Sequence, residues 1–178
     1  NRFKARIRRY GSNGISFLEI KRKTVHGRTI KNRILRSNHQ DWNAPLSPDE
    51  QVFLNNHYLY PNGELTSVKC SFERCTLVST ARQERVTIDS NITFLSVDSE
   101  ASLEGFSILE VKQGRIDRLS PIHLALKKFS GFPPPLGRST SLSKYIIGML
   151  LLNPKLQRRT YRSVMRSLGG LIDYRYKK

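Results

Sequence analysis

Acidic residues are scarce in this chain. Its 14 Asp and Glu stand against 31 Lys and Arg, a formal charge of +17 over 178 residues. Such a balance points to a polyanionic partner: nucleic acid, a nucleotide or polyphosphate, or an anionic membrane surface. Cysteine is almost missing. Cys70 and Cys75 lie in one predicted strand and would face the same way only if it were kinked. No disulfide is expected, two thiols make no metal site, and the usage fits a reducing compartment. The histidines, His26, His39, His57 and His123, show no ligand spacing, which argues against zinc. Long apolar runs are missing too, the longest being 145–152, whereas a bilayer needs about 18 residues. There is no signal-peptide pattern, internal repeat or low-complexity tract. The length suits one domain, 1–178, with a sizeable core. Because the first residues already read as a strand, the sequence is expected to be a fragment lacking an upstream element.

What is present is a series of basic strands. Residues two apart in a strand share a face. In the first strand, centred on 4–10, Arg2, Lys4, Arg6 and Arg8 therefore line one side and Phe3, Ala5 and Ile7 the other. In 17–23, Glu19, Lys21 and Lys23 oppose Leu18 and Ile20. Gly11-Ser12-Asn13-Gly14 supplies a hairpin turn and His26-Gly27 a second, leading to Lys31 and Arg33 opposite Ile30 and Ile34. Ser47-Pro48-Asp49-Glu50 combines an N-cap, a first-turn proline and a capping-box glutamate, and predicts a helix to about His57. After a turn at Pro61-Asn62-Gly63 come strands over 67–80, 85–89, 92–97 and 106–112. These place Phe72 and Arg74 on one face, and set Arg85, Thr87 and Asp89 against Val86 and Ile88. Glu110 and Lys112 likewise oppose Leu109 and Val111. Pro121 begins a helix to about Phe129, 131–137 is a proline-rich connector, and Ser141-Leu142-Ser143-Lys144 opens a helix through Leu152. Asn153-Pro154 stops it, and a last helix carries Arg158, Arg159, Arg162 and Arg166. The order is α+β.

One basic strand is usually a solvated face. Six in series, each with an apolar side to cover, suggest an antiparallel β-barrel or tunnel with a basic interior, its helices packed outside and at the C-terminus. The apolar helix 145–152 is expected on the sheet's apolar outer face. Unpaired cations lining an interior lose several kcal/mol of hydration each, so water and bound anions must fill it. A chain of phosphates meets that condition, with Arg supplying planar forks and Lys mobile point charges. Glu110 and Glu19 offer oxygen ligands to Mg²⁺ or Mn²⁺, or else pair with neighbouring cations; ion pairing is the expectation for Glu19. Ser143-Lys144 at a helix start is a candidate anion site, set against the commoner reading of an N-cap followed by a surface lysine.

Five segments in order, 6–11, 17–23, 85–89, 109–112 and 142–145, resemble the VTC domain, the polyphosphate polymerase domain of the vacuolar transporter chaperone complex. That family belongs to the triphosphate tunnel metalloenzymes. The resemblance implies transfer of the ATP γ-phosphate to a polyphosphate chain, with Mn²⁺ or Mg²⁺. It implies catalytic cations at Arg6, Arg8, Lys21 and Lys112, and phosphate binding by Lys31, Arg74, Arg85, Ser143 and Lys144. Glu110 matches the metal-binding glutamate. The family's opening strand, with a Glu-x-Lys-Tyr motif, is absent here, and Leu142 stands where an aromatic is common. Expected partners are ATP or triphosphate, polyphosphate and a membrane-associated protein. The expected location is the cytoplasm, with the inner face of a membrane as a variant. A non-catalytic polyphosphate or nucleotide receptor is the alternative. A nucleic-acid-binding β domain is a third reading, weakened because the basic strands lack interleaved aromatics for base stacking.

Overall fold

A computed structural model describes residues 2–11, 14–36, 44–57, 68–128 and 143–153. Its secondary structure is α+β, in two units, Asn1–Thr66 and Ser67–Lys178. Each unit carries an antiparallel sheet, and among the described residues neither sheet closes into a barrel.

In the first unit, β1 (Arg2–Arg9), β2 (Ser16–Lys23) and β3 (Thr29–Leu35) form a meander in that order. The alternation dictates the register: Arg6 pairs with Glu19 and Glu19 with Arg33, while Lys4 pairs with Lys21 and Lys21 with Lys31. Gly27 makes the second turn at φ +77°, which a side chain would resist. The apolar side buries Leu18 and Ile20 against Leu54 of α1 (Pro48–Asn55), with Phe3, Ile7, Ile34, Leu46 and Phe53 around them. The predicted capping box forms. The Glu50 N–H donates to Ser47 Oγ at 3.2 Å, and the Ser47 N–H donates to Glu50 Oε2 at 2.8 Å. The other oxygen of Glu50 lies 3.5 Å from Nε of Arg36, an ion pair buried at both ends that ties α1 to the chain leaving β3.

The second unit is built on β5 (Glu84–Leu95), flanked by β4 (Lys69–Val78) on one side and by β6 (Glu100–Ser102) and β7 (Ile108–Gln113) on the other. Two predicted strands, 85–89 and 92–97, are thus one. The reason is a β-bulge. Ser71 pairs with Thr93 and Glu73 with Ser90, so Asn91 and Ile92 together oppose Phe72. Asn91 takes φ 49°, a left-handed conformation that Asn tolerates better than most residues.

The extra residue shifts the alternation of β5 by one. Arg85, Thr87 and Asp89 before the bulge, and Ile92 and Phe94 after it, therefore share a face with Cys70, Phe72 and Arg74 of β4. One end of that face is apolar. There Ile92, Phe94 and Leu103 bury against Ile147 and Leu152 of α3 (Lys144–Leu152), with Cys70, Phe72, Ala101, Phe106 and Ile108 around them. This corrects the expectation that helix 145–152 covers the opposite, apolar side. The helix packs on the face that carries the charges, because the bulge turns large apolar side chains to that face as well. Cys70 and Cys75 fall on opposite faces of β4, and both are free thiols.

The remaining helix, α2 (Pro121–Lys128), follows Ser120 as expected. The turn residues Ser12 and Asn13, the turn 61–63, the connector 131–137, the segment Ser141-Leu142 and the arginine-rich stretch with Arg158, Arg159, Arg162 and Arg166 lie outside the described residues.

Candidate functional site

The register of the first sheet gathers Lys4, Arg6 and Arg8 of β1, Lys21 and Lys23 of β2, and Lys31 and Arg33 of β3 on one face. Arg2 of β1, opposite Lys23, falls on the same face by register, so among the described residues eight basic positions share it with one carboxylate, Glu19. Glu19 has no exposed side-chain surface and is held from both neighbouring strands. Arg6 donates to Oε2 from Nε at 2.9 Å and from Nη2 at 2.7 Å. Lys31 Nζ lies 3.0 Å from Oε1. Burial alone would push this carboxyl up, but hydrogen bonds from Arg6 and Lys31 outweigh it and hold it below the usual range. Ion pairing is thus the role of Glu19, as its sequence context suggested, although the partners lie across the sheet and not beside it on β2.

The remaining cations crowd one another. Lys21 is held below the ordinary lysine value by burial first, and then by the like charges of Arg6 and Arg8. Arg33 stacks over Phe17 at 4.4 Å from the ring centre, and Arg8 stands 5.8 Å from that of Tyr10. A hydrogen bond with Arg8 lowers the Tyr10 phenol. The aromatic faces here serve the guanidinium groups, which is not the arrangement of a base-stacking platform.

On the second sheet the charged end of the mixed face carries Arg74, Asp89, Arg85, Thr87, Glu110 and Lys112, in rows set by the pairs Arg74–Asp89, Arg85–Lys112 and Thr87–Glu110. Asp89, 1% exposed, repeats the arrangement of Glu19. Arg74 forks onto it, Nε to Oδ1 at 2.5 Å and Nη2 to Oδ2 at 2.7 Å. Lys144, the first residue of α3, forms an ion pair with Oδ2. Phe72 supports both cations, with its ring centre 5.1 Å from the Arg74 guanidinium and 4.8 Å from Lys144 Nζ. Here too burial would raise the Asp89 carboxyl, and the hydrogen bonds from Arg74 and Lys144 overcome it and leave it lowered. Burial pushes the nearby Cys70 thiol up to about 11, so it is no nucleophile at neutral pH.

Glu110 is half-exposed, with Oε1 3.3 Å from Lys112 Nζ. Among the described residues no three His, Cys, Asp or Glu side chains come together as a metal cluster. Ser143 is the N-cap of α3 by backbone conformation, without a side-chain capping bond.

The predicted residues thus fall into two sets: Arg6, Arg8, Lys21 and Lys31 on the first sheet, and Arg74, Arg85, Glu110, Lys112 and Lys144 with Ser143 in the second unit. Lys4, Lys23 and Arg33 share the first face by the same alternation but were not singled out as site residues. Asp89 was missed as well, and its signal was its place two residues after Thr87 and four after Arg85.

These features define a class: an α+β protein whose sheets present basic faces with sparse, ion-paired carboxylates, suited to a polyanion rich in phosphate. A family model, VTC domain, matches residues 1–153, and the chain belongs to that family. Membership is consistent with a polyphosphate-related function. No curated protein and no solved structure matches the chain. Among the described residues no helix is long and apolar enough to cross a membrane.

Proposed function

We propose that this chain is a polyphosphate polymerase-like phosphotransferase, moving the γ-phosphate of ATP to a polyphosphate chain along the basic walls of a tunnel. The observation that carries the reading is the first sheet, where eight basic positions lie on one face with a single carboxylate that is already bound twice over. Such a face lowers its own repulsion when an extended polyanion lies on it.

In this reading the terminal oxygen of the chain attacks the γ-phosphorus. The bond from that phosphorus to the β–γ bridging oxygen breaks, and ADP leaves with the electron pair. The protein provides no covalent nucleophile. Arg6, Arg8, Lys21 and Lys112 hold the reacting phosphates in line and offset the charge that gathers on them. Lys31, Arg74, Arg85, Ser143 and Lys144 bind the remaining phosphates. Glu110 would hold Mn²⁺ or Mg²⁺, which when bound neutralises phosphate charge.

One observation favours a second reading, a receptor without turnover: Glu110 already has Lys112 as a partner, and among the described residues no three His, Cys, Asp or Glu side chains come together. The test is incubation of the protein with ATP and Mn²⁺, following both ADP release and phosphate chain length. Chains with ADP establish the polymerase. ADP or phosphate without chains means a tunnel hydrolase. Polyphosphate binding with neither product establishes the receptor.

A further inference from the structure

The two most deeply buried carboxylates of the basic faces, Glu19 and Asp89, are alike in four respects. Each has almost no exposed surface, and each accepts a guanidinium through the same Nε–Nη2 edge. Each also accepts a lysine, and in both cases the cations come from elements on either side: β1 and β3 around Glu19, β4 and α3 around Asp89. All four cations are among those that the family resemblance assigns to phosphate.

A carboxylate is out of place on a surface meant for anions, since it subtracts from the attraction and repels the ligand directly. The charges around it answer that objection. Arg6 and Lys31 would repel each other if nothing stood between them, and Asp89 likewise separates the charges of Arg74 and Lys144. A ligand would then have to gather long, mobile side chains, each with an ordering cost. Glu19 and Asp89 do that ordering in advance. Phe72 adds a second constraint, because both Arg74 and Lys144 lie close to its ring.

We infer that Asp89, and Glu19 in the same way, is a positioning residue of the polyanion site, fixing pairs of phosphate-binding cations at the expense of net positive charge. The inference rests on the polyphosphate reading above and adds to it two residues that act only through their partners. It also separates the acids by role. Asp89 and Glu19 have both oxygens committed to cations, whereas Glu110 has a single lysine on one oxygen.

The sign of one effect tests it. Asp89→Asn removes a negative charge from the site, so electrostatics alone predicts tighter binding of an anion. Positioning predicts weaker binding. Inorganic tripolyphosphate is titrated at fixed salt into the wild type, Asp89→Asn, Glu19→Gln and, as a charge control, Asp98→Asn in the exposed turn after β5, with melting curves run alongside. The expected result is a loss of about tenfold or more in affinity for the two positioning variants while they remain folded, with the control unchanged or slightly tighter. Asp89→Glu keeps the charge but moves the carboxylate outward by one methylene, and it too should lose affinity. It keeps the question open to measurement should the Asn variant fail to fold. A folded Asp89→Asn or Asp89→Glu that binds as tightly as the wild type overturns the inference alone. A wild type that does not bind tripolyphosphate overturns the polyphosphate reading itself, and the inference with it.

Discussion

Gly148 lies directly over Phe94. A Cβ built on this glycine would sit 2.6 Å from Cδ1 of the ring and 2.9 Å from Cγ1 of Val68. The missing side chain lets α3 settle onto β5, and that seating brings Lys144 to Asp89. Gly148→Ala should therefore destabilise the fold by about 1–3 kcal/mol, despite alanine's better helix propensity. Urea unfolding of the two proteins checks it, and an unchanged or higher midpoint would sink the argument.

Asn91 holds the bulge at positive φ. Asn91→Gly should be nearly neutral, since glycine accepts that backbone freely. Asn91→Val should cost about 1–3 kcal/mol, because a β-branched side chain resists it. Thermal melts of both variants test the contrast, and equal effects would show that the bulge does not depend on the residue.

Lys21 stands among Arg6, Arg8 and Lys31 and carries its charge under repulsion. Lys21→Met should raise stability at low salt by about 0.5 kcal/mol, since like charges opposed across strands destabilise. The gain should fade as salt screens it. Tripolyphosphate affinity should fall in the same variant. A lysine that costs stability yet strengthens binding marks a site arranged for its ligand.

The lowered carboxyls of Glu19 and Asp89 fix a pH dependence. Their folded values lie below the unfolded ones, about 4.3 for Glu and 3.9 for Asp. Their contribution is complete above the unfolded values and is lost as pH falls through the folded ones. Glu19→Gln and Asp89→Asn should each cost about 1–3 kcal/mol near neutrality. That difference from the wild type should shrink once pH drops below about 4. Denaturant midpoints at a series of pH values measure it, and a difference that stays constant into acid would refute the assignment.

Glu110 packs little, being half-exposed with Lys112 as its ion-pair partner among the described residues. Glu110→Gln should leave the melting temperature and tripolyphosphate binding near wild type. Its Mn²⁺-dependent ADP release should fall by about a hundredfold or more. Full activity in the variant would remove the metal assignment.

The first sheet was legible because its three strands alternate without interruption. Lys4 to Arg8, Glu19 to Lys23 and Lys31 to Arg33 each keep their period, so the charged face follows from counting. The capping box at Ser47 was legible for a similar reason, since both its bonds are local. The second unit was harder to read. Nothing in the spacing of Arg85 to Phe94 says that one residue is extra, so a single bent strand looked like two. The helix 145–152 is apolar on nearly every side, and its sequence does not say which sheet face it covers. The Asp89–Lys144 pair joins residues far apart in the chain, a contact that only the packing of α3 creates.

The bulge also bears on how this strand can be compared with others. Before Asn91 the odd-numbered positions of β5 hold the charges, and after it the even-numbered positions hold the core on that same side. An alignment that runs through this point without a gap sets inward residues against outward ones for the rest of the strand. Losing that one residue would leave Arg85, Thr87 and Asp89 where they are and invert everything beyond them. The length of β5 is thus under a stricter rule than its composition: neighbouring positions can exchange side chains of like kind, but the count between Asp89 and Ile92 cannot change.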